Sequence, residues 1–139
     1  MSENSVIQMY GTADTDSSAT IDVPDDGVLL STYLNMMTTG QAADGDYSAM
    51  QLSFGSVSQF TTNDARGVLA HCGISADLGG AAANVFLNMN HSNIEYGDGI
   101  KVFGGERLFI HVISAGNATV TRWIALLVFN FKSFVQRRR

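Results

Sequence analysis

Residues 119–131 read TVTRWIALLVFNF, and no other run limits the possible folds so much. Its uninterrupted apolar part, Trp123 to Phe129, is far shorter than the ~20 residues of a membrane-spanning helix. Its β-branched and aromatic residues suit a pleated strand, and Gly116-Asn117 just upstream is a turn signal rather than a helix start. The segment reads as one long strand. At a period of two, Thr121, Trp123, Ala125, Leu127, Phe129 and Phe131 share one face. Val120, Arg122, Ile124, Leu126, Val128 and Asn130 share the other. Both faces are apolar at their centres, whereas a strand with one wet side alternates cleanly. The expectation is that both faces are covered, one by the core and the other by a second layer of the chain or by a neighbouring subunit.

The same strand signals recur along the chain. GERLFIHVIS (105–114) sets Leu108, Ile110 and Val112 against Phe109, His111 and Ile113, and the following SAGNA predicts a β-hairpin with the last strand. NVFLNMNH (84–91) puts Val85, Leu87 and Met89 inward, and SAMQLSF (48–54) does the same with Met50, Leu52 and Phe54. GVLLSTYLNMM (27–37) is a long strand, reached from ATIDV (19–23) through PDDG, where Pro24 fixes φ and Gly27 can take a positive one. KVF (101–103) and SVIQMY (5–10) add short strands, while NDARGVLAHCG (63–73) reads as either a short helix or a strand. Seven or eight strands between loops rich in Gly, Asp, Asn and Ser make an all-β sandwich or barrel. The expected division is an N-terminal arm (1–18), the β domain (19–131) and a basic C-terminal tail (132–139).

Composition points to association. The 139 residues suit one domain with its own core. Only 15% are charged, well below the usual quarter, so part of the surface is expected to be covered by something other than water. Charge is also unevenly placed. Residues 1–100 hold twelve acids and one base, Arg66, whereas residues 101–139 hold seven bases and one acid, Glu106. Such a split can orient subunits head to tail, direct one end toward a polyanion, or simply be solvated. In the tail, Arg137, Arg138 and Arg139 could contact nucleic-acid phosphates, pair with a neighbour's acids, or remain in water. The opening MSENSVIQMYG has neither a basic start nor an apolar run of signal-peptide length, and no membrane partner is expected.

No pattern of reactive side chains emerges. His71, His91 and His111 are scattered, without the paired spacing of a metal-binding cupin. His71 and Cys72 are neighbours on a strand and so point to opposite faces, which argues against a nucleophile and its base. Cys72 is the only cysteine, which excludes an internal disulfide and a cysteine zinc site. The aspartate pairs lack the spacing of a twelve-residue calcium loop, and LGGAAAN (78–84) lacks the lysine of a phosphate-cradling loop. The expectation is a non-enzyme, with no catalytic residue, cofactor or metal.

Two long stretches, ATIDVPDDGVLLSTYLNMM and IKVFGGERLFIHVISAGNATVTRWIALLVFNF, resemble the small single-jelly-roll virion proteins of phages, which serve as capsid, decoration or spike subunits. The resemblance spans roughly residues 19–131 and consists of strand and turn patterns, so no functional residue carries over. It implies an antiparallel jelly-roll β-sandwich and a virion protein that forms a homo-oligomer, a trimer or pentamer, beside other capsid proteins. Aromatic residues anchor most such interfaces, which nominates Trp123, Phe129, Phe131 and Phe134. For Trp123 and Phe129 a core position is the stronger expectation, and Phe134, beyond the strand, is the strongest intersubunit candidate. A second reading is a soluble ligand-binding jelly roll, lectin-like or receptor-binding, using a loop such as QAADGDYS (41–48). A cupin-type enzyme is a third.

Overall fold

The computed structural model describes residues 4–13, 17–39, 47–54, 67–75, 87–115 and 120–131. They form eight strands: β1 (Asn4–Ala13), β2 (Ser17–Asp22), β3 (Gly27–Thr39), β4 (Tyr47–Ser53), β5 (Val68–Ser75), β6 (Leu87–Val102), β7 (Arg107–Ala115) and β8 (Val120–Phe131). Two four-stranded sheets result, in the orders β1-β8-β3-β6 and β2-β7-β4-β5, and every pairing is antiparallel. First pairs with last, second with seventh, third with sixth and fourth with fifth, the pairs alternating between the two sheets. One long hairpin wrapped into two layers gives this order, and it is the jelly roll.

The core lies between the layers. Leu29, Leu34 and Met36 of β3 and Trp123, Ala125, Leu127 and Phe129 of β8 are buried from one side. Met50 and Leu52 of β4, Cys72 of β5 and Leu108, Ile110 and Val112 of β7 meet them from the other. A polar bridge ties the layers along the β5–β6 side. The Tyr96 hydroxyl donates to the Leu69 carbonyl at 2.7 Å and lies 3.0 Å from Thr32 Oγ1, whose proton it must then accept. Asn90 Nδ2 donates to the Gly73 carbonyl beside it.

At one end the β2–β3 and β6–β7 loops clasp each other. Val23 N donates to Glu106 O and Gly105 N to Val23 O, both at 2.8 Å, while Asp26 Oδ1 accepts from Gly104 N. Glu106 N donates to Phe103 O, and Gly105 sits third in that turn at φ +88°, which marks a type II turn.

Several expectations need correction. The last two strands are not a hairpin: β7 pairs with β2 and β4, and β8 with β1 and β3. They belong to opposite layers, each taking both of its ladders from strands distant in the sequence. Of the two readings left open for 63–73, residues 68–75 take the strand. Met89 points outward, 57% exposed, because buried Met36 of β3 stands opposite Asn90 and Met37 opposite Met89. KVF is no separate strand: Lys101 and Val102 end the sixteen-residue β6, and Phe103 lies beyond it. Gly27 is absent from the positive-φ glycines; it is needed for close approach, since a Cβ there would overlap the Asn130 carbonyl oxygen. Residues 4–13, set apart as an arm, form an edge strand of the first sheet.

Candidate assembly surface

The outward row of β8 is the apolar centre of a face on which apolar and polar residues are equally numerous. Registers carry it across the first sheet in successive rows: Val6, Val128, Ser31 and Glu95; Gln8, Leu126, Tyr33 and Asn93; Tyr10, Ile124, Asn35 and His91; Thr12, Arg122, Met37 and Met89. Ile124, Leu126, Val128, Tyr33 and Met37 are half-buried by their own neighbours in the sheet. At the margins Val6 is 61%, Tyr10 75% and Met89 57% exposed. Among the described residues these are three of four large apolar side chains so exposed; Phe103 is the fourth.

The second sheet behaves differently. Gln51, Ser53, His111 and Ile113 point away from the core, as their register with buried Met50, Leu52, Ile110 and Val112 requires, yet all four are buried. The outer side of one layer is therefore shielded at its centre, while that of the other stays open.

Polar groups punctuate the open face. Asn35 Oδ1 is buried without a hydrogen-bond partner, and Asn35 lines a shallow hollow of about 250 Å³ with Met36, Met37, Arg122, Trp123 and Ile124. A second hollow of about 290 Å³ is lined by Asn4, Leu30, Ser31, Glu95, Gly97 and Val128. Tyr33 and His91 stack with ring centroids 6.2 Å apart. Arg122 and Glu95 are exposed at opposite ends of the face, and neither forms an ion pair among the described residues.

Trp123 and Phe129 both point into the core, 8% and 0% exposed, so neither is a surface anchor. The Trp123 ring lies across Gly11 of β1, where any Cβ would meet it at 2.9 Å. Phe131 is half-buried and stacks on Phe129 with centroids 5.0 Å apart. Phe134, Arg137, Arg138 and Arg139 lie outside the described residues, as do residues 41–46 of the ligand-loop candidate. Of the residues that form the open face, the β8 row was read from sequence as one of two apolar faces, Met89 was read as inward, and Tyr10 was not singled out.

Among the described residues reactive groups do not converge. His71 is exposed and Cys72 buried, on opposite faces of β5. Burial pushes the Cys72 thiol up to about 11 and raises the Tyr96 hydroxyl, against which the Thr32 hydrogen bond works. Among the described residues no cluster of three His, Cys, Asp or Glu could hold a metal ion, and no helix is long and apolar enough to cross a membrane.

The chain matches no protein-family model and no curated protein. Among solved structures it is similar to the infectious bursal disease virus VP2 subviral particle, at 10% identity over 92% of this chain and 32% of that one, with a TM-score of 0.40. It is similar to the decameric BFDV capsid protein at 9% identity, over 94% of this chain and 97% of that one, with a TM-score of 0.37. It is also similar to the C-terminal CBM6 of LamC, a laminarinase of Zobellia galactanivorans, at 16% identity over 88% and 98% of the two chains, with a TM-score of 0.35. The chain spans about a third of the VP2 chain. These scores are low, and the jelly-roll assignment rests on strand order.

Proposed function

We propose that this chain is a virion structural protein of a bacteriophage, assembling with copies of itself as a capsid or capsid-decoration subunit. One observation carries the reading: the first sheet turns an uncovered apolar face outward, with Tyr10 and Met89 largely in water. Monomeric proteins rarely leave a contiguous apolar patch of several hundred Å² open unless something binds there. Jelly rolls serve as capsid subunits, as lectins and as cupin enzymes. A lectin or an enzyme works through a concave site, whereas the feature found here is a broad face with an apolar row along β8 and polar residues around it, which favours assembly. The phage-like pattern over residues 19–131 points the same way.

In this reading the mechanism is association. Association removes apolar surface from water, and further contacts repeat about a closed symmetry axis, as in a trimer or pentamer. Phe134 adds an intersubunit contact, and Arg137, Arg138 and Arg139 meet nucleic acid or the acidic body of a neighbour. Sedimentation and negative-stain microscopy of the purified chain test the proposal. Rings or shells are expected; a lone unit at high concentration overturns it.

A further inference from the structure

We infer that the open face of the first sheet binds the same face of a second copy, across a two-fold axis that passes beside β3 between Tyr33 and Asn35. The inference rests on the assembly reading and adds to it a two-fold contact that pairs copies, distinct from those about the trimer or pentamer axis. Arg122 stands in the row of Met37 and Met89, and Glu95 in the row of Ser31 and Val128. They are about 20 Å apart along the strands and two strands, about 10 Å, apart across them. A two-fold lying in the plane of contact, perpendicular to the line joining them, sets each Arg122 against the partner's Glu95. An isologous contact makes every such pairing twice.

That one axis fixes the remaining pairings. It places the hollow beside Asn35 opposite the partner's Asn93, an exposed amide. Leu126 then meets its own copy near the axis, Ile124 lies over the partner's Tyr33, and Tyr10 covers the partner's Val128.

The size is adequate. Four strands at ~4.8 Å spacing and seven residues of β8 give roughly 19 Å by 23 Å, about 450 Å² of flat area per copy before side-chain corrugation. Two copies together give about 900 Å², the size of a weak or transient contact below the ~1,200 Å² of standard interfaces. The edge strands and loop ends stay free for contacts of higher order.

Charge reversal tests the geometry. Both residues are exposed, so R122E and E95R should leave far-UV circular dichroism unchanged. Sedimentation velocity over a dilution series then reads association. Each single variant should weaken the pair roughly tenfold or more by opposing like charges, and the double variant R122E/E95R should restore it. Single variants that associate like the wild type, or a double variant no better than the singles, overturn this contact while leaving the assembly reading intact. A wild-type chain that sediments as a monomer overturns both.

Discussion

Tyr10→Ala separates the surface reading from any role of Tyr10 in folding. Tyr10 stands on β1 opposite Ile124 and is 75% exposed. A tyrosine carries about 200 Å² of buriable surface, so some 150 Å² is still in water. At ~25 cal/mol per Å², covering it is worth at most about 4 kcal/mol. Ordering the side chain and desolvating its hydroxyl remove part of that, leaving about 2 kcal/mol, roughly thirtyfold in affinity, per copy. A two-fold contact holds two copies and would lose about 4 kcal/mol. Within the monomer the change costs less than about 1 kcal/mol, the span of strand propensity. Light scattering over a dilution series reads the first quantity, and urea unfolding of dilute protein reads the second. If Tyr10→Ala assembles at the same concentration as the wild type, the face is not the contact. If dilute protein loses much more than 1 kcal/mol, Tyr10 works inside the fold and the argument fails.

Other expectations are narrower. Tyr96→Phe removes the hydroxyl that joins Leu69 to Thr32 across the layers, and chemical denaturation should show a loss of about 1–2 kcal/mol; no loss would mean that the bridge adds nothing to stability. Cys72 is held at about 11 against an ordinary value of 9.0. The unfolded chain therefore releases this proton first, so the thiol's contribution is full below pH 9 and declines as pH rises toward 11. Unfolding free energies of the wild type and Cys72→Ala across that window should converge, and a constant gap would refute the assignment. Phe134→Ala should weaken assembly with β-type circular dichroism intact, and unchanged particle size in light scattering would strike Phe134 from the interface.

Strand content was legible because alternation is local. The inward sets Met50 and Leu52, Leu108 to Val112, and Trp123 to Phe129 were all read from windows of a few residues, and each is buried as its period requires. Parity failed at β6. There Asn90, whose side chain bonds the Gly73 carbonyl, takes an inward place that hydrophobicity alone would give to Met89. The hairpin expected around SAGNA failed for a different reason. A short glycine-containing link between two apolar strands serves equally as a turn within one sheet or a crossing between two, and only long-range pairing decides. Gly27 shows the same limit: its reason is the Asn130 carbonyl, more than a hundred residues away in sequence.

The open face was illegible for a topological reason. A jelly roll pairs first strand with last, so the face is assembled from β1, β8, β3 and β6, none adjacent in sequence to another. β8 alone announced an excess of apolar surface, and its two-sided character correctly raised the question of a second cover. The answer required knowing that β1 brings Val6 and Tyr10 alongside it and that β3 brings Tyr33 and Met37. It also required knowing that the other layer buries Gln51 and His111 on its outer side. Such a surface can be built only after the chain ends have met. Association through it therefore depends on completed folding, and a chain with β1 removed should lose the face and the edge pairing of β8 together.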